Sequence, residues 1–172
     1  MVLIERIWVK PGLDARVLPR YAAPQMQRDV VEIEVKGLMP VNNGVAVFMG
    51  PEDKAFVIHV DPSTGKAMHL ALQGRQLERP MTHDLITRIF LGFGVSVERV
   101  LINRREDETF FARLILRMAN EVSTKLVELD ARPSDCIVLA LQAHSPIYIT
   151  QDVLDSVEDM SDLLERFRGE RE

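Results

Sequence analysis

The sequence is short of several things at once. It has one cysteine, Cys136, which excludes a disulfide framework and a cysteine-built zinc cluster. It has no excess of positive charge. The formal net charge is −5 and the isoelectric point about 5.4, which argues against broad electrostatic capture of nucleic acid, so such a partner needs a local basic patch. No run approaches the ~20 apolar residues of a membrane span. The apolar run near the start is interrupted by Glu5 and does not suit a secretory signal. A soluble, cytoplasmic protein is the expectation. A glycine-rich phosphate loop, a paired-cysteine metal site and a Ser-His-Asp order are all missing. Hydrophobic residues nonetheless make up 47% of the 172 residues, enough for one ordered domain with extensions.

The most informative stretch runs from Leu126 to Ile149. It reads as a short strand, a polar turn, a helix with almost no polar surface, and a second short strand. Pro133 suits the first helical position, and Asp135 meets the positive end of the helix dipole. Cys136 to Leu141 leave no polar face before Gln142, so the helix is expected to be covered on most sides. Asp130, Arg132, Ser134 and Asp135 then sit at the rim of a core. Upstream, Thr82 reads as the cap of a helix that ends at Gly94, with Asp84 in its first turn and Leu85, Ile86, Ile89, Phe90 and Phe93 as an apolar stripe.

The rest of the chain is mostly strand. Val30–Val35 alternates with period two, Val45–Met49 and Phe56–Val60 flank Gly50-Pro51, and Lys66–Gln73 is a short helix. Val95–Asn103 and Thr109–Met118 form a hairpin, followed by Lys125–Leu129. A shift of 69 positions places Asp61 on Asp130 and Leu70-Ala-Leu-Gln73 on Leu139-Ala-Leu-Gln142. This predicts an α+β fold of duplicated β-β-β-α units, about residues 30–73 and 99–142, forming a single domain with mixed or antiparallel sheets packed around central helices. In the N-terminal extension, residues 1–27, Leu3–Val9 is a candidate strand, and the rest, with Pro11, Pro19 and Pro24, reads as irregular. Residues 151–168 carry an amphipathic stripe of Val153, Val157, Met160, Leu164 and Phe167, suited to docking or to a dimer, with 158–172 as the terminal helix and tail.

Two separated motifs carry a resemblance. Leu129-Asp-Ala-Arg-Pro-Ser-Asp135 followed by Leu139-Ala-Leu141, with Arg79-Pro-Met-Thr-His-Asp-Leu85 upstream, resembles the bifunctional nuclease domain family over roughly residues 28–157. Ser63-Thr-Gly-Lys66 stands where members often carry an acidic residue. The resemblance implies a nuclease hydrolysing phosphodiester bonds of DNA or RNA, and it raises His83 above His59, His69 and His144.

Each candidate residue has a plainer alternative. Asp130 and Ser134 either cap the helix while Arg132 pairs with a carboxylate, or they surround a helix N-terminus that offers N–H groups and a guanidinium to a phosphate. Thr82, His83 and Asp84 are either a capped helix start with a surface histidine or a source of general acid–base chemistry. Arg113 and Arg117 share a strand face with Phe111 and Ile115 and are either a solvated sheet face or a nucleic-acid track, extended by Lys125, Arg104 and Arg105. On the functional side, His83, Asp84, Asp130 and Asp135 are the expected catalytic residues. Thr82, Arg132, Ser134, Arg113 and Arg117 are expected to bind substrate. Glu128, Asp130 and Asp135 are the expected ligands of a divalent metal, Mg or Mn. The partners expected are nucleic acid and a second copy of the chain, with no membrane. A binding or regulatory module that recognises a small anion or a protein is the alternative to a nuclease.

Overall fold

The computed structural model describes residues 2–6, 29–75, 77–119 and 123–169. Most of the predicted N-terminal extension, residues 120–122 of the predicted Asn120–Ser123 turn and the last three residues of the tail lie outside these. The elements are β1 (Val2–Arg6), β2 (Val30–Val41), β3 (Gly44–Gly50), β4 (Phe56–Val60), α1 (Pro62–Leu72), α2 (Thr82–Gly92), β5 (Val95–Glu106), β6 (Thr109–Ala119), β7 (Thr124–Ala131), α3 (Pro133–Ala143), β8 (Ile147–Thr150), α4 (Gln151–Ser156) and α5 (Ser161–Gly169). The class is α+β, as the alternation of strands and helices predicts.

One mixed eight-stranded sheet runs in the order β1-β7-β6-β5-β8-β2-β3-β4. The strands β2-β3-β4 and β5-β6-β7 are each antiparallel meanders followed by an eleven-residue helix. Short β8 joins them, antiparallel to β2 and parallel to β5. Element order is therefore common to both halves, but the single 69-residue shift is not. The first strands begin at Val30 and Val95, 65 residues apart, and the helices at Pro62 and Pro133, 71 apart. The difference accumulates in the second half, whose β6 and β7 are both longer than β3 and β4.

The core is one cluster drawn from both halves. Val47, Met49 and Phe56 meet Val100, Ile102, Leu114 and Leu116, and α3 lies among them with Cys136, Ile137, Val138 and Ala140 at 0% exposure. α1 packs against α3 and against β3. That close approach requires Gly65, since a Cβ there would lie 2.8 Å from Val45 Cβ. Gly65→Ala is expected to cost about 1–3 kcal/mol through overpacking, more than the ~1 kcal/mol gained in helix propensity. A melting temperature several degrees lower checks this, and an unchanged one rejects it.

The C-terminal stripe is divided where the sequence suggested one helix. Val153, Leu154 and Val157 complete the main core. Leu164 and Met160 instead join Phe48, Ala55 and Val57, and Phe167 stacks on Phe48 with ring centroids 6.3 Å apart. The break between α4 and α5 has a local cause. The Asp159 carboxylate accepts from the Ser161 N–H at 2.9 Å and its hydroxyl at 2.6 Å, while the Met160 N–H donates to the Ala55 carbonyl at 2.6 Å. The stripe is thus used within its own chain and is not left over for a partner. No described helix is long and apolar enough to cross a membrane.

Candidate active site

The buried helix α3 starts abruptly. Arg132 is its N-cap residue in extended conformation, Pro133 follows at the first helical position, and no side chain caps the end; the Asp135 and Cys136 N–H groups donate to the Arg132 carbonyl, which leaves the Ser134 N–H. Asp135, in the first turn, turns its carboxylate toward α2. There His83 Nε2 lies 3.0 Å from Asp135 Oδ1, while Arg132 donates to both oxygens, Nε to Oδ2 at 2.9 Å and Nη2 to Oδ1 at 3.3 Å. The two motifs that the sequence singles out therefore meet. His83 is nearly buried, with 10% of its side chain exposed, Asp135 is at 31% and Arg132 at 70%.

The electrostatics assign the hydrogens. Burial alone would raise the Asp135 pKa, but hydrogen bonds from Arg132 and His83, with their charges, outweigh it and hold the carboxyl below its usual range. The same contact raises the Arg132 guanidinium above its ordinary value. An ionised carboxylate only accepts, so His83 Nε2 carries the hydrogen it donates. Nδ1 is then the nitrogen left for proton transfer. Among the described residues no hydrogen bond engages it, and it is not one of the fully buried unpaired atoms.

The other predicted residues fall into three places. Thr82 is exposed at the first position of α2, and Met81 rather than Thr82 is the N-cap. Asp84 has both oxygens occupied, one by the Met81 N–H at 2.7 Å and one by Gln142 Nε2 at 2.7 Å. Gln142 accepts in turn from Thr87, so Asp84 braces α2 against α3. Ser134 lies beside Arg132 on the wall of a neighbouring cleft.

Arg113, Arg117, Glu128 and Asp130 are elsewhere. On β7, Val127, Leu129 and Ala131 pack into the core beneath the helices. Alternation puts Glu128 and Asp130 on the opposite face of the sheet. Asp130 bonds Arg113 across the ladder at 2.8 Å, and Arg117 lies 3.9 Å from Glu98. Asp130 is consequently not a helix cap, and the expected basic track is an ion-paired face. The proposed metal triad does not assemble, because the sheet separates Asp130 and Glu128 from the His83 side of Asp135. Among the described residues no group of three or more His, Cys, Asp or Glu side chains is placed to hold a metal ion. This donor set does not fit a divalent cation.

Asp61 was missed. It caps α1, and its pKa is lowered, most by the Thr64 hydroxyl, with the Thr64 and Ser63 N–H groups and the charge of Arg132 adding to the effect. Its signal was present in Asp61-Pro62, an N-cap followed by proline. Cys136 lies beside the site, but its thiol is pushed up to about 12, first by burial and then by the charges of Asp135 and Asp130. A neutral, covered thiol should resist alkylation in the native protein and react fully only after denaturation. Rapid native labelling, read by mass spectrometry, would contradict that burial.

With this geometry in hand, the comparisons are specific. A model of the bifunctional nuclease domain matches residues 47–161, which include His83, Arg132 and Asp135. Two uncharacterized proteins of Mycobacterium tuberculosis, from strains CDC 1551 / Oshkosh and H37Rv, are each 32% identical to this chain over 127 residues, spanning 72% of it and 73% of their own length. Bifunctional nuclease 1 of Arabidopsis thaliana is 30% identical over 81 residues, 47% of this chain and 25% of the plant protein.

Proposed function

The chain belongs to the bifunctional nuclease domain family, and from that premise we propose that it hydrolyses phosphodiester bonds of DNA or RNA at the site formed by His83, Asp135 and Arg132. The observation that carries this reading is the 3.0 Å contact from His83 to Asp135, which leaves Nδ1 as a proton acceptor on an oriented ring. In the proposed reaction water attacks phosphorus and gives its proton to Nδ1. The bond from phosphorus to the leaving sugar oxygen breaks, that oxygen takes up a proton from a second water, and the proton on Nδ1 returns to solvent. Arg132 Nη1, which Asp135 does not use, and the Ser134 N–H at the start of α3 face the charge that grows on the phosphate oxygens. Asp135 acts through His83, fixing its tautomer.

A second reading, binding without cleavage, draws support from the acidic net charge and from the ion-paired sheet face. One experiment separates them. Purified protein is incubated with labelled single-stranded and double-stranded DNA and RNA, with and without a chelator. Products that appear with the wild type and vanish with His83→Ala support the nuclease. Retention of intact strands without products under every condition supports the binding module.

A further inference from the structure

Arg132 belongs to two features at once. It bonds Asp135, and it also closes one end of a cleft of about 620 Å³ that runs along residues 56–61. Those residues are β4, the terminal strand of the sheet, and the cap of α1, so among the described residues one backbone edge of β4 is unpaired. The β5–β6 turn forms the facing wall, with Phe110 set against Phe56 at 5.9 Å between ring centroids.

Arg105 is held rigidly in that wall. Its Nη1 donates to the Ser156 carbonyl at 2.7 Å, its guanidinium carbon lies 5.6 Å from the Phe110 ring centroid, and its Nε is buried with no acceptor. A buried N–H without a partner is rare in a folded chain and calls for an explanation. The buried Nε does not itself reach the cleft, but the guanidinium that carries it lines a cleft holding a second guanidinium, and such a pair is suited to phosphate oxygens. Acidic residues line the cleft too. Asp61 is committed to its cap, while Glu108 and Glu158 are exposed at the rim. They limit how much negative charge can enter.

We infer that this cleft holds the segment of a single strand adjoining the cleaved bond, one or two nucleotides long, with Arg105 and Arg132 each donating to a phosphate. The inference rests on the nuclease reading and adds the form of the substrate. A cleft of this volume suits a ligand of dinucleotide size. A base stacked inside a duplex must first be unstacked and turned out to enter such a pocket.

Binding is measured on the full chain carrying His83→Ala, which blocks turnover. The probes are a deoxythymidine dinucleotide, a single-stranded oligothymidylate of about twelve nucleotides, its duplex with oligoadenylate, and inorganic phosphate. The single strand should bind about tenfold more tightly than the duplex, since two phosphates and not a double helix are recognised. The logarithm of its affinity should fall with the logarithm of salt with a slope of about −1.4, the ~0.7 per phosphate of single strands taken twice. Adding Arg105→Ala should weaken it about tenfold. Ser134→Asp should do the same while keeping the fold, because an acidic residue in the first turn suits the helix dipole.

In the His83→Ala background neither variant should alter binding if the cleft is idle, and that result overturns the inference. Inorganic phosphate binding as tightly as the dinucleotide also overturns it, by making the cleft a free-anion site. With His83 restored, Arg105→Ala should raise KM about tenfold and leave kcat unchanged. If the wild type cleaves and Arg105→Ala cleaves with the same KM, the cleft assignment falls while the nuclease reading stands. If nothing cleaves but Arg105-dependent strand binding persists, the nuclease reading falls and the cleft remains a strand-binding site.

Discussion

Alanine at His83 is expected to slow cleavage by about 10²–10⁴-fold, the range that positioned proton transfer usually supplies. Binding of an uncut strand should change little, because the guanidinium of Arg132 and the open end of α3 remain in place. The loss should fall on kcat, and the profile of kcat/KM against pH should lose its acid limb. His83 is nearly buried, so the truncation leaves a space where an imidazole stood. Some loss of stability will accompany it, and activity must be scored per folded molecule. Free imidazole added to the variant offers a sharper check, since a base diffusing into that space should restore part of the rate. A purely structural histidine predicts neither rescue nor any change in the pH profile. Wild-type turnover by the folded variant would remove His83 from the mechanism.

The meeting of His83 with Asp135 was legible in the sequence because each belongs to a short signal with a physical cause. Pro133 fixes where α3 begins, the apolar run from Cys136 to Leu141 buries it, and Asp135 must therefore lie at the rim. Thr82-His83-Asp84 opens a second helix, marked by its own apolar stripe. The strands of both meanders were equally legible from their alternation, and β4 lies where Phe56–Val60 alternates. Chain order does not reveal which face of a sheet a polar residue takes relative to a following helix. Glu128 and Asp130 are close in sequence to Asp135, yet the parity of β7, set by Val127 and Leu129 entering the core, turns them to the other side.

Two further differences share a cause, which is that local pattern is silent about long-range partners. The stripe from Val153 to Phe167 has helical spacing, but Ala55 and Phe48 capture its second half through the Met160 N–H and the Phe167 ring. That contact, together with Asp159, divides the helix in two. Arg105 and Asp61 reach the neighbourhood of Arg132 only because β4 and the β5–β6 turn come together around Phe56 and Phe110. Among the large apolar residues left exposed, four lie on α2 and just beyond it, and of these Leu85, Ile89 and Phe93 follow one another a turn apart. His83 takes the buried side of the same helix, where Ile86 and Phe90 pack against the core.

Asparagine at Asp135 should separate positioning from stability more cleanly than alanine does. The amide keeps the size of the carboxylate but can donate to His83 Nε2, which would move the ring hydrogen to Nδ1 and remove that nitrogen as an acceptor. Loss of about 10²–10⁴-fold in kcat is expected from that change of tautomer. KM should hold or fall, because Arg132 is released from its partner. Stability has its own signature. The folded pKa of Asp135 is depressed, so the ionised carboxylate stabilises the fold above its unfolded value of about 3.9, and that contribution disappears as the pH falls through the lower folded value. Wild type should therefore be more stable than Asp135→Asn at neutral pH, with the gap closing below about pH 4. Melting curves recorded across that window, alongside kcat for the same preparations, distinguish two outcomes. A closing gap with intact turnover would make Asp135 a structural anchor for Arg132 alone. A closing gap with kcat collapsed at neutral pH, where both proteins are folded, assigns it the orientation of His83.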